Sequence, residues 1–181
     1  VTGVQTCALP ISASQVYLNT GDDSVSLNAG LIASTIYGGE GKDSVYIVNG
    51  ASTAALIDGG VGNDFLSLGG LSGTSSLLGG SGEDTITVAG NSTQWLVDSG
   101  DDNDSLYITN AAERTSVIAG SGADSINLSV VSKGLVLAEQ GNDTINVAGA
   151  STSATLRGGK GTDNISQVGA LTSSSVNGDL G

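Results

Sequence analysis

The chain has 181 residues, a net charge of -13, 29 glycines, one tryptophan, no histidine and no methionine, and aromatics make up only 3% of it. The length suits one domain, but a core of large side chains cannot be assembled from such a composition. Five lysines and arginines cannot neutralise a nucleic-acid backbone, and the charge opposes adhesion to anionic lipid, so a cation is the natural complement.

Residues 1–12 hold the sole cysteine, Cys7, and the sole proline, Pro10, and fit no repeat. They look like the read-through translation of a sequencing-library adapter. We therefore expect 1–12 to be an artefact or a disordered arm and read 13–181 as one domain. No transmembrane run is visible, and no membrane insertion is expected.

From there the chain is a set of repeats. The clearest copy, Gly79 to Val88, joins a glycine turn, an aspartate and a short alternating strand. Its aspartate recurs as Asp23, Asp43, Asp64, Asp84, Asp104, Asp124, Asp143 and Asp163, at steps of 20, 21, 20, 20, 20, 19 and 20 residues. The chain stops at Gly178-Asp179-Leu180-Gly181, inside a further copy, so 13–181 is expected to be truncated at both ends of a longer array.

Each period predicts two strands. The first follows the aspartate, with aliphatics two and four places on: Val25 and Leu27, Val45 and Ile47, Leu66 and Leu68, Ile86 and Val88, Leu106 and Ile108, Ile126 and Leu128, Ile145 and Val147. Only the last copy departs, with Gln167 after Ile165. The second strand carries Ile36, Ile57, Leu77, Val97, Val117, Val136, Leu156 and Val176, flanked by small residues such as Ala55, with Trp95 the large exception. Period-two alternation between glycine-rich bends implies an all-β fold, a parallel β-roll or β-solenoid of about eight coils with two short strands each. Identical positions would then stack about 4.8 Å apart.

Gly38-Gly39-Glu40-Gly41-Lys42-Asp43, Gly59 to Asp64, Gly79 to Asp84 and Gly158 to Asp163 resemble the glycine-rich nonapeptide of the repeats-in-toxin, or hemolysin-type, calcium-binding family. That resemblance implies Ca²⁺ clasped between turns on successive coils by aspartate carboxylates and main-chain carbonyls, and a right-handed coil. The metal residues it implies are Asp23, Gly39, Gly41, Asp43, Gly60, Gly62, Asp64, Gly80, Gly82, Asp84, Asp104, Gly120, Gly122, Asp124, Gly141, Asp143, Gly159, Gly161 and Asp163. The chemistry agrees, since Ca²⁺ takes six to eight oxygen ligands and a bare aspartate ladder repels itself. The copies at Asp23, Asp104 and Asp143 lack some glycines, which makes weaker sites there. The family places calcium turns at both edges of its coil, whereas the second bend here, as in Asn49 to Thr53, has no aspartate. We therefore expect a variant with a 20-residue period and one column of about seven Ca²⁺ along one edge.

Two outer faces remain. Ser24, Ser44, Thr85, Ser105, Ser125 and Thr144 form a hydroxyl file near Tyr46 and Tyr107 that suits glycan or ice, or is simply a solvated face. Leu56, Leu78, Leu96, Ile118, Leu135 and Leu137 fall at positions that should face solvent. Either a protein or glycan partner covers them or the inside-outside register slips locally. With no histidine, and with Arg114 and Arg157 about two coils apart, no catalytic pair or basic cleft is expected and the chain is read as no enzyme. The expected function is a structural repeat that folds on binding Ca²⁺ outside the cell, as spacer or folding module of a secreted or cell-surface bacterial protein. The alternatives are an adhesin-type module, or an accessory repeat of an enzyme or toxin whose active domain lies elsewhere.

Overall fold

A coil of about twenty residues buries little by itself, and stacking is how its inward aliphatics leave water. In the computed structural model, which describes residues 4–7 and 9–178, the chain is a parallel β-solenoid of about eight coils. No helix occurs among the described residues, hence none long and apolar enough to cross a membrane. Strands pair in parallel with those about one period on: Ser24–Leu27 with Ser44–Ile47, Ser44–Ile47 with Phe65–Leu68, and Thr35–Glu40 with Leu56–Val61. The closing Asp179-Leu180-Gly181 lies outside the described residues, as do Val1 to Gly3 and Ala8.

The structure adds a third strand to the predicted two. It is two residues long in the second bend, as at Leu31–Ile32, Ser52–Thr53 and Ser151–Thr152, and merges into longer strands at Leu71–Ser81 and Ser125–Ser132. Its inward positions form a further core column, in which the buried aliphatics Leu31, Leu71 and Val131 share places with the buried serines Ser52 and Ser151. The predicted first-strand aliphatics are buried from Val25 to Val147, and Ile36 to Leu156 are buried in the second strand, whereas Val176 is 41% exposed. Gln167, where an aliphatic is missing, accepts a hydrogen bond from Ser151 Oγ at 2.9 Å and donates to the Gly149 carbonyl.

The register does not slip at the outer leucines. Leu56, Leu78, Leu96, Ile118, Leu135 and Leu137 are half-buried on the outer side, while the residues that alternate with them, Ile57, Leu77, Val97, Val117 and Val136, are fully buried. The stack also reaches into the segment set apart by composition: Val4–Cys7 lies parallel to Ser24–Leu27, and Ile11–Ser12 to Leu31–Ile32. Backbone groups make the strand pairing, Ile11 packs against the core, and Ser34 Oγ donates to the Ile11 carbonyl.

Departures from the 20-residue step fall on one side of the coil. Ser24 pairs with Ser44 but Ile32 pairs with Thr53, so the extra residue of the 21-residue step enters between Ile47 and Ser52. Register shifts fall between Ser72 and Ser75 and between Ile108 and Ala111, again in the second bend. The glycine turns run in unbroken register, with Gly60, Gly80, Gly100, Gly120, Glu139 and Gly159 as successive partners.

Candidate metal edge

The repeat aspartates form one column along one edge, and all but Asp163 are buried. From Asp43 onward, each Oδ1 accepts the backbone N–H of the aspartate one coil earlier. Asp43 N–H donates to Asp64 at 2.7 Å, Asp64 N–H to Asp84 at 2.7 Å, Asp84 N–H to Asp104 at 2.8 Å and Asp104 N–H to Asp124 at 2.8 Å. The same bond joins Asp23 to Asp43, Asp124 to Asp143, and Asp143 to Asp163.

The second oxygen is different. Oδ2 of Asp43, Asp64, Asp84, Asp104, Asp124, Asp143 and Asp163 is shut off from water with no hydrogen-bond partner. In four of these coils it faces the leading glycine of its own turn: a Cβ on Gly38 would stand 2.7 Å from Asp43 Oδ2, and one on Gly59, Gly79 or Gly158 would crowd Asp64, Asp84 or Asp163 in the same way. At Asp104, Asp124 and Asp143 the same place holds Ser99, Ala119 and Ala138. Close approach of the carboxylate, and at Gly38, Gly59 and Gly79 of the next coil's carbonyl, rather than an unusual φ, suits glycine in those four turns.

Burial outweighs the accepted N–H. Desolvation pushes Asp84 and Asp104 up to about 7, against the opposing backbone hydrogen bond and with neighbouring carboxylates adding to the rise. Asp64 and Asp124 rise to about 6 for the same reasons, and Asp43 and Asp143 are raised too. The Ser99 hydroxyl beside Asp104 offsets part of its rise. The edge is a column of carboxylates that burial favours as neutral or charge-compensated.

The other glycines of the motif sit where the chain turns. Gly39, Gly60, Gly80, Gly120 and Gly159 have φ between 101° and 116°, and Gly41, Gly62, Gly82, Gly122, Gly141 and Gly161 between 117° and 150°. Where the sequence is degenerate the conformation persists, with Asn19 at φ 76°, Asp102 at 76° and Glu139 at 77°. Asparagine and aspartate tolerate the left-handed region, whereas glutamate there costs about 1–2 kcal/mol.

A second ladder escaped the sequence reading. The Oδ1 of Asp22, Asn63, Asn103 and Asn142, each just before a repeat aspartate, accepts the N–H of the matching residue one coil later, at 2.7–3.1 Å. These residues recur in alternate coils, a two-coil period that registering on the aspartate alone conceals.

Among the described residues no three carboxylate or thiol side chains converge as a metal cluster. A metal at this edge would draw most of its ligands from main-chain carbonyls. Those of Glu40, Val61, Ser81, Asp101, Gln140 and Lys160 each accept one N–H from a glycine one coil before, which leaves each a further lone pair. Orphaned Oδ2 atoms and carbonyls with a lone pair to spare, with no lysine or arginine paired to the ladder among the described residues, form an all-oxygen donor set that fits a hard divalent ion.

The second bend has no such carboxylates, as the sequence implies. Thr115 apart, its inward hydroxyls are used within the stack: Ser34 Oγ accepts the Ser14 N–H, Ser75 Oγ the Ala55 N–H and Ser174 Oγ the Ala154 N–H, at 3.1–3.2 Å. Of the outer faces, the hydroxyl file is half-buried and is interrupted by Phe65 between Ser44 and Thr85, with Tyr46 packed on Phe65. Compared with models of known families, with curated proteins and with solved structures, the chain matches none.

Proposed function

We propose that the chain is a calcium-binding structural module of the repeats-in-toxin type, a spacer or folding unit without catalysis in a secreted or cell-surface bacterial protein. The observation that carries this reading is the column of buried, unpartnered Oδ2 atoms, repeated coil after coil on the edge where the glycine motif recurs. The Oδ2 atoms of Asp43, Asp64, Asp84, Asp104, Asp124, Asp143 and Asp163 would hold Ca²⁺ together with the turn carbonyls. Bound there, the ion supplies the positive charge that a column of buried carboxylates lacks.

The chain's own residues explain why folding would depend on such compensation. Uncompensated, neighbouring carboxylates raise one another and burial penalises each, while a coil with few inward aliphatics has little stabilisation in reserve. Weak sites filled at extracellular calcium concentrations suit a module that is exported unfolded and orders outside. The half-buried outer leucines are where it would meet a neighbour. Circular dichroism of the full chain at pH 7.5, with calcium and then with excess chelator, tests the proposal. We expect the strand signal to collapse on chelation and return with added calcium; a spectrum indifferent to both would overturn it.

A further inference from the structure

The outer face of the second strand carries a pattern with a two-coil period. Leu56 and Asp58 stack on Ser76 and Leu78, these on Leu96 and Asp98, and these on Ser116 and Ile118, after which come Leu135 and Leu137. Leucine-x-aspartate alternates with serine-x-aliphatic until Leu137 takes the aspartate's place, in step with Asn63, Asn103 and Asn142 in the turns of the same alternate coils. The aliphatics zigzag from Leu56 to Leu137 as one half-buried stripe, with Tyr37 before it and Arg157 after it.

The core does not need this stripe, since the residues that alternate with it already point inward and are fully buried. Asp58 and Asp98 sit in the notches along one side of the zigzag, and Ser76 and Ser116 in those along the other. Both carboxylates are half-buried, and among the described residues neither makes a hydrogen bond or an ion pair. A contiguous apolar stripe with one acidic flank marks a contact surface.

Whatever covers the stripe must meet it with side chains alone, because the strands beneath it already have partners on both sides. A second copy would set its own Asp58 and Asp98, and a net charge of -13, against the same groups. An α-helix laid along the stack matches in both spacing and charge. Coils recur about every 4.8 Å, and the seam residues of a heptad helix advance about 5 Å, so one apolar side chain meets each coil. Two coils span about 9.6 Å and one heptad about 10.5 Å, so one basic residue per heptad reaches Asp58 and Asp98 in turn. Over the roughly 19 Å from Leu56 to Leu137 the two periods stay in step to within about 2 Å. We propose that the stripe docks a basic amphipathic α-helix of a partner protein, its apolar seam on Leu56 to Leu137 and its lysines or arginines on Asp58 and Asp98. The inference rests on the outer leucines as a contact face and not on the bound ion.

The full chain is titrated, by calorimetry and circular dichroism, with a peptide of about three heptads carrying leucine at a and d, lysine at e, and alanine or glutamine elsewhere. The described residues hold no helix, so a helical band that grows on mixing belongs to the peptide. A scrambled peptide of the same composition and one with glutamate for lysine serve as controls. The calcium condition is whichever gives the strand spectrum, so failure of the calcium reading and failure of this one are read separately. We expect saturable, helix-forming binding of the patterned basic peptide alone. Leu96→Ser with Ile118→Ser should weaken it about tenfold or more, and Asp58→Asn with Asp98→Asn several-fold. Ser67→Ala, on the outer face of the first strand, should leave it unchanged. The strand spectrum establishes that each variant is folded. No binding, equal binding of the scrambled peptide, or affinity that survives loss of both carboxylates in folded protein would overturn the proposal. So would self-association of the chain that Leu96→Ser with Ile118→Ser abolishes.

Discussion

The two edges of each coil solve the same problem, turning the chain and stacking the turns, with opposite chemistry. At the glycine edge each coil from Asp43 to Asp143 buries a carboxylate, satisfies one oxygen with the coil before and leaves the other without a partner. At the second bend the buried polar groups are neutral hydroxyls with their bonds made inside the stack, except at Trp95 and Thr115. On the proposed reading the first edge would depend on a cation from outside the chain, whereas the second, those two groups apart, makes its bonds within the stack. A repeat built this way can be switched from one side while the other keeps its register.

The comparison can be broken most forcefully at Gly59. Gly59→Val would drive a side chain into Asp64 Oδ2 and the Gly79 carbonyl, and we expect a loss of about 3 kcal/mol or more in denaturant unfolding, or no folded protein. Next comes pH. Asp64, Asp84, Asp104 and Asp124 have folded values of about 6 to 7, above their ordinary 3.8, so the stability they allow is fully present below about 4 and is lost as pH rises through 7. Unfolding midpoints of calcium-free protein should therefore fall steadily from pH 4 to pH 8, and midpoints that rise would refute the assignment. Asp84→Asn should reverse in sign with conditions, raising the midpoint without calcium by removing a buried charge and lowering it with calcium. Equal shifts in both conditions would remove the link between ladder and ion.

Smaller effects are expected at the other edge. Ser75→Ala deprives the Ala55 N–H of its acceptor and should cost about 1–2 kcal/mol regardless of calcium. Ala54 holds φ 50° in the second bend, so Ala54→Gly relieves a left-handed alanine and should be neutral or stabilising by under about 1 kcal/mol. A calcium-dependent Ser75→Ala, or a clearly destabilising Ala54→Gly, would show that the edges are not independent.

The sequence exposed the aspartate column, the inward aliphatics and the outer leucines because each repeats at a fixed offset with one kind of side chain. It concealed the third strand because two residues, Leu31–Ile32 in one coil and Ser52–Thr53 in the next, are too few for a period and because leucine and serine alternate in its core column. The left-handed residues of the second bend include Ala33, Ala54, Gly73, Gln94, Arg114, Lys133 and Ser153, which share no chemistry from which a turn could be read. The carboxamide ladder needed a doubled period. Trp95 stood out by size, but that its indole N–H is buried without a partner is revealed only by the stack.

The placement of every register shift in the second bend bears on how such a protein can change length over generations. A residue gained or lost between the first and second strands, as between Ile47 and Ser52 or between Ile108 and Ala111, is absorbed locally while the opposite edge stays aligned. The same event in a glycine turn would rotate the following strand's side chains from inside to outside. One edge is thus an expansion joint and the other a fixed ruler, so lineages can drift in sequence and length along the first, and engineers can graft loops there, without losing count of the coils.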